Sequence, residues 1–310
     1  MARKKFSAGY NGDPVADLCD NNFGELYSAF LKFGTPYYVD SINGSDTLYD
    51  GLSIDHPFQT IAKFVATASD GDRAIMRGTF TEAVTCTKKL AFLGSGPTPD
   101  HCVWMESAAG QTLLSLISPD CFVSGIRFRV PTTGGIAIDM LNSDFTQIRG
   151  NIFQGRAGSY YGIRVSGGSQ WRILDNSFSY MNTATYGCAI LGYSVLSIPS
   201  GCDVSGNVFQ SNLRHIAATL RQSYVHDNTL QAVGIDADNV SALTATVKID
   251  ISGETSGGQF NTVTRNNIQG TYSVLGGFKS ATGDNWYGNK SDKISTTGVT
   301  AEGTTIAVPA

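Results

Sequence analysis

One short phrase recurs through the chain with changes of spelling: an aliphatic residue, two more, Asn, one more, then a large apolar residue. It runs from Ile148 through Asn151 to Phe153, from Ile173 through Asn176 to Phe178, and from Val204 through Asn207 to Phe209. Copies follow at Val225, Asn228 and Leu230, at Val263, Asn266 and Ile268, and in worn form from Trp286 to Asn289. Val123 to Phe128 fits the frame with Ile126 in the Asn slot. The Asn slots fall at 126, 151, 176, 207, 228, 266 and 289, so the steps are 25, 25, 31, 21, 38 and 23. A recurring step of twenty-odd residues with irregular insertions marks a solenoid.

The type of solenoid follows from composition. Charged residues are 15% of the chain and Gly is 35 of 310, which suits many strands and tight turns better than helices. The expected class is all-β: a stack of coils in which the Val/Ile and Phe/Leu positions form inward rows. The Asn is expected at the sharp turn, where it tolerates left-handed φ and its amide bonds the next Asn in the stack. The long steps leave two inserts, 179–200 and 232–260, to be read as loops or, for the second, as one more coil without its Asn.

Before the ladder, apolar residues at 58, 61, 64, 65 and 68 have helical spacing, with Pro57 to start a helix over about 58–69 and Asp70-Gly71 to end it. A solenoid exposes strand edges at its first coil, and a short amphipathic helix covers them, so this helix is assigned as the N-terminal cap. A second helical pattern, Phe23, Leu26, Tyr27, Phe30, Leu31 and Phe33, predicts a helix over about 22–33 that is too short to stand alone and must dock on the solenoid or on another chain. The expected organisation is an anchor or oligomerisation segment at 1–36, the solenoid at 37–290 and a polar Thr/Gly-rich tail at 291–310.

The region after 37 resembles the right-handed parallel β-helix proteins of the pectate-lyase-like superfamily. Three matches carry the likeness. One is Tyr38 to Asp40 with Gly44, Asp46, Gly51, Pro57 and Phe58. Another is Gly71-Asp72 leading to Gly78, Phe80 and Glu82. The third is Leu90, Phe92, Leu93, Gly94 and Gly96. The resemblance implies a right-handed parallel β-helix with a short capping helix over about 37–290. It also directs a search for paired carboxylates, since many relatives cut polysaccharides. A glycosidase needs one protonated and one ionised carboxyl, about 5 Å apart for retention and about 6.5 to 9.5 Å for inversion. Asp175 and Asp227 occupy the slot before the ladder Asn two coils apart, roughly 9.6 Å at strand spacing, and Asp203 lies on the intermediate coil. Turn chemistry with solvated side chains is the plainer reading of all three. Calcium-binding aspartate clusters of the lyase kind do not accompany the arginines, so that chemistry is not carried over.

Other candidates are weaker. Asp236 and Asp238 share a face if extended and could hold a cation, but no third ligand is near in sequence. His56, His101, His215 and His226 stand outside any nucleophile arrangement and read as surface or turn residues. Gly94-Ser-Gly96 lacks the Lys and helix of a phosphate loop. Tyr160, Tyr161, Tyr186, Tyr193 and Trp171 could line a sugar-binding face or pack in the core. No cofactor is expected, and the six cysteines, without metal spacing, read as free buried thiols. Net charge of -4 disfavours nucleic acid, and no run is apolar enough to span a membrane.

The opening residues lack the apolar core of a secretory signal. A β-helix without that signal, with free thiols and an adaptor-like start, looks like bacteriophage tailspikes, tail fibres and head spikes. That resemblance implies a virion protein assembled in the host cytoplasm, attached to other virion proteins through residues 1–36, forming a homotrimer and contacting a host-surface polysaccharide. The competing readings are a polysaccharide-degrading tailspike hydrolase acting through Asp175, Asp203 and Asp227, and a capsid decoration protein.

Overall fold

The computed structural model describes residues 34–96, 98–141, 143–156, 158–181, 187–192, 198–212, 214–231, 249–250, 260–269, 278–279 and 285–291. The expected helix over 22–33 lies outside them, as do Cys19, Asp236, Asp238, Tyr186, Tyr193, nearly all of the 291–310 tail and most of the insert 232–260. Each coil contributes one strand to each of three faces, all in parallel register. On the first face the residues before the Asn pair coil to coil, as Gln147–Arg149 does with Phe122–Ser124 below and Arg172–Leu174 above. On the second face the residues after the Asn pair likewise, Ile152–Gln154 lying between Arg127–Arg129 and Ser177–Ser179. The third face holds longer strands such as Ile136–Met140, Tyr161–Val165 and Cys188–Gly192. The expected all-β parallel β-helix is the architecture found.

Strand pleat sends alternate side chains inward, so register turns sequence positions into rows. Val123, Ile148, Ile173, Val204, Val225 and Val263 stack in one inward row, all fully buried. Trp104, Phe128, Phe153, Phe178 and Phe209 stack in another. From Phe128 to Phe209 the rings are parallel within 7° and their centroids 4.7 to 5.0 Å apart. The third row, Leu114, Ile138, Ile163, Ile190 and Ile216, carries no sequence phrase of its own.

The asparagines form the expected amide ladder but do not make the turn. Positive φ belongs to the residue before each: Gly125 (72°), Gly150 (63°), Asp175 (55°), Gly206 (67°), Asp227 (54°), Arg265 (54°) and Gly288 (65°). That kink directs the next residue inward, where Asn151, Asn176, Asn207, Asn228 and Asn266 are at most 1% exposed. Each Nδ2 of these donates to the next Oδ1 along the stack at 2.9 to 3.1 Å. It also donates to a main-chain carbonyl of the coil below, such as Val123 O or Ile148 O. Each Oδ1 of the next Asn accepts the preceding backbone N–H as well. A buried polar row is tolerated because its members are satisfied.

A second left-handed column was not read from the sequence. Asp120, Phe145, Gln170, Gly201, Gln222 and Phe260 have φ between 48° and 64°. They precede Cys121, Thr146, Trp171, Cys202, Ser223 and Asn261, all of which turn inward.

Both long steps are single coils. Val225 pairs directly with Val263 and Leu230 with Ile268 across the 38-residue step, and Ile249 joins the third face between Ile216 and Phe278. The reading of 232–260 as an extra coil is therefore wrong, because no strand intervenes between the paired neighbours. Cys188–Gly192, within the insert 179–200, is likewise an ordinary third-face strand.

The cap helix α1 spans Ile61–Thr67 and buries Ile61 and Phe64 over the first coil, Phe64 meeting Phe92 edge-on at 5.8 Å. It starts later than expected because Phe58 is held extended by a bridge to Val39, leaving Thr60 as N-cap. The carboxylate of Glu82 accepts the N–H groups of Ile61 and Ala62, and Lys88 Nζ donates to the carbonyls of Val65, Ala66 and Ala68 at the other end. These contacts satisfy terminal groups that a short helix leaves open. Cys86, Cys102, Cys121, Cys188 and Cys202 are free and buried, and burial pushes the Cys102 and Cys202 thiols up to about 12.

Candidate functional site

The two left-handed columns place their side chains on the outside of the rod, and the first face lies between them. Asp175 and Asp227 occupy the column before the Asn ladder, separated by Gly206, whose missing side chain leaves room for the Asp175 carboxylate. Asp203 is not in that column. It opens a first-face strand, in register with Arg172 on one side and Tyr224 on the other. Asp175 pairs with Arg149 at 3.4 Å. Asp203 and Asp227 are joined by His226, whose Nε2 lies 3.3 Å from Asp203 and whose Nδ1 lies 2.6 Å from Asp227. Arg265, in the same column as Asp227 one coil on, donates from Nε and Nη2 to its two oxygens at 2.7 and 2.6 Å.

These partners set the electrostatics. The Arg265 guanidinium, and after it His226, hold the Asp227 carboxyl well below the usual carboxylate range. A general acid must carry a proton near the working pH, and Asp227 is held in the opposite state. His226 and Arg265 were missed in the sequence as members of a site. The signal was there only with register in hand, since Arg265 fills the Asp227 slot on the following coil. Among the described residues no group of three or more His, Cys, Asp or Glu is placed to hold a metal ion.

A second ion pair sits on the third face. Arg164 grips Asp139 with Nε and Nη2, Ser166 Oγ adds a contact at 3.3 Å, and the Asp139 side chain is 5% exposed. The Asp139 carboxylate raises the Arg164 pKa. With both oxygens engaged by the guanidinium, this pair ties neighbouring coils.

Beside the Asp203 cluster the surface is hollow. Phe145, Gln170, Gly201 and Gln222 are successive members of the second left-handed column, and Gln147 and Arg172 are successive outward residues of the adjacent first face. Gly201 brings no side chain, and an open groove of about 470 Å³ forms between its neighbours. Its lining offers a half-exposed phenyl ring, three carboxamides that donate and accept, and a guanidinium fork. Of the aromatic residues named from sequence, the three described ones, Trp171, Tyr160 and Tyr161, do not line it. Trp171 is fully buried because it follows Gln170 at the kink and turns inward, while Tyr160 and Tyr161 pack edge-to-face at 5.9 Å, Tyr161 lying on the third face. Among the described residues, Phe145, Tyr224 and Phe260 are the rings on the groove side that are more than half exposed.

No protein-family model matches the chain, and no curated protein matches it. Solved structures do. A pectate lyase aligns over 87% of this chain and 73% of its own at 14% identity, with a TM-score of 0.51. An alginate lyase from a Paenibacillus species aligns over 77% and 93% at 13% identity and a TM-score of 0.45. The Dettilon tailspike protein aligns over 98% and 71% at 14% identity and a TM-score of 0.32. At these identities the likeness concerns the fold.

Proposed function

We propose that this chain, which has the pectate-lyase-like parallel β-helix fold, is a structural and adhesive rod of a bacteriophage particle that binds a surface polysaccharide on its flank without cleaving it. The observation that carries the reading is the pairing on one face of an open, sugar-compatible groove with carboxylates engaged by arginine and histidine. Aromatic rings stack on the apolar faces of sugars, and carboxamides and guanidinium groups reach their hydroxyls, so the groove suits a glycan. Asp227, one of the three carboxylates offered by sequence with Asp175 and Asp203, is held ionised by Arg265 and His226. It is thereby suited to fixing the surface rather than to delivering a proton.

The test uses purified polysaccharide from the surface of the host. The full chain should bind it and leave its length unchanged, and Phe145→Ala with Gln170→Ala should weaken binding by at least about tenfold, about 1.4 kcal/mol. Shortening of the polysaccharide that stops in the Asp203→Asn and Asp227→Asn variants would replace this reading with the hydrolase.

Attachment through residues 1–36 and a place on the tail or the shell remain part of the proposal. Mass spectrometry of purified particles should find the chain, and its absence would remove the virion assignment. Light scattering of the isolated folded chain should give the mass of three chains, and a single-chain mass would count against the trimer.

A further inference from the structure

Two of the buried thiols meet. The strands Val84–Cys86 and Thr112–Leu116 are neighbours on the third face, with Cys86 opposite Leu116. Each is followed by a corner that leads to the first face, where Ala91 lies opposite Phe122. Cys86 enters the first corner and Cys121 leaves the second, and both side chains turn inward, at 0% and 2% exposure. Their sulfurs share one acceptor: Cys86 Sγ donates to Lys88 O at 3.1 Å and Cys121 Sγ to the same oxygen at 3.5 Å. The two thiols are also hydrogen-bonded to each other.

The backbone holds them there. Ile117 N–H donates to Cys86 O at 2.9 Å and Phe122 N–H to Leu90 O at 3.0 Å, so the two corners are stacked from end to end. Both corners lie at the surface, with Thr87 and Lys89 exposed on one and Ile117 and Asp120 on the other. A water-sized oxidant therefore has only the thickness of a corner to cross. A metal site would need further ligands, and among the described residues no third His, Cys, Asp or Glu stands with the pair.

We propose that Cys86 and Cys121 are a disulfide-forming pair, oxidised by a small peroxide to a cross-link that ties two successive coils together at the N-terminal end of the rod. The Cys86 sulfur attacks one peroxide oxygen; an S–O bond forms as the O–O bond breaks, and the departing hydroxide takes up the thiol proton as water. The Cys121 sulfur then attacks Cys86 Sγ; the S–S bond forms, the S–O bond breaks, and hydroxide leaves with the Cys121 proton as a second water. Two thiols are oxidised and one peroxide is reduced. Cys86 attacks first because the Cys121 S–H bonded to it holds its thiol below the ordinary value, while the same contact and burial push the Cys121 thiol up. The cross-link lies beside α1, whose last carbonyls are held by Lys88 Nζ, and it fixes the end coil of a solenoid, where unfolding begins most easily. It needs neither glycan nor particle, so its failure leaves the proposed function standing.

The test treats the full chain with hydrogen peroxide, alkylates it in denaturant, digests it without reductant and weighs the peptides. The expected product joins the peptides of Cys86 and Cys121 with the loss of two hydrogens and is undone by a thiol reductant. It should form at least about tenfold faster in the folded chain than in the chain unfolded in guanidinium, because the fold brings the sulfurs together. Recovery of both cysteines as alkylated thiols, an equal rate in the two states, or Cys86 joined to a different cysteine overturns the proposal. So does oxidation of either sulfur beyond the sulfenic acid with no disulfide formed. In Cys121→Ser, which keeps a hydrogen-bond donor beside Cys86, the sulfenic acid of Cys86 should accumulate and be trapped by dimedone. A Cys86 that stays a thiol in that variant overturns the order of attack. Should serine disturb the fold, the wild-type peptide map decides alone.

Discussion

Replacing Asn207 by alanine should destabilise the chain by about 3–5 kcal/mol, an effect of the size that buried unsatisfied groups produce. Asn207 is fully buried, and its amide makes four bonds. Oδ1 accepts from Asn176 N–H at 2.9 Å and from Asn176 Nδ2 at 3.1 Å. Nδ2 donates to Ile173 O at 2.8 Å and to Asn228 Oδ1 at 3.1 Å. Alanine leaves a main-chain donor, a main-chain carbonyl and a side-chain donor short of partners, in a corner packed too closely for the coils to rearrange. Guanidinium unfolding would measure the loss, and a change below about 1 kcal/mol would mean that the ladder is incidental to stability. Aspartate at the same place keeps the acceptor but removes both donors and faces the Asn228 oxygen. Burial should raise its folded-state pKa above the unfolded value near 3.9. Its stability contribution is then fully present below that unfolded value and is lost as pH rises through the folded one. Asn207→Asp should therefore approach the wild type in acid and fall away toward neutrality.

Phe178→Ala should cost a similar amount, about 3–5 kcal/mol, by a different route. Its ring lies 4.7 Å from Phe153 and 5.0 Å from Phe209, and alanine would open a cavity in the middle of the stack. The neighbouring coils are fixed by their own ladders and cannot close it. Phe178→Leu should cost much less, about 1 kcal/mol, because Leu230 already stands in this row above Phe209. The difference between the two variants in unfolding midpoint separates lost volume from lost ring stacking. Equal losses would assign the row's contribution to the rings themselves.

The parts of the fold legible in the sequence were those written in residue type. Asn at 151, 176, 207, 228, 266 and 289 announced a column, and the flanking Val/Ile and Phe/Leu positions announced two rows of core. The left-handed turn was placed one residue late, because Asn tolerates that conformation as readily as its neighbour does. Glycine before the Asn at 150, 206 and 288 was the better signal, and Arg265 in the same slot obscured it. The second left-handed column had no such announcement. The residues it turns inward, from Cys121 through Trp171 to Asn261, share no chemistry, so nothing in their types repeats. The groove was invisible for a related reason: Phe145, Gln170, Gly201 and Gln222 come from four coils and become neighbours only once the unequal steps between them are known to be single turns. The cluster around His226 is of the same kind, since Asp203 and Arg265 approach it from the coils before and after.

The bonds of the ladder also carry a kinetic consequence. They join residues 25, 31, 21 and 38 positions apart, about an eighth of the chain or less, so each bond closes a loop far shorter than the chain. Each added coil closes one short loop onto an edge that is already finished. The coil beneath α1 is the first to be complete as the polypeptide is made. Growth can then proceed in the direction of translation, one turn at a time, with a single open edge waiting for the next segment to emerge.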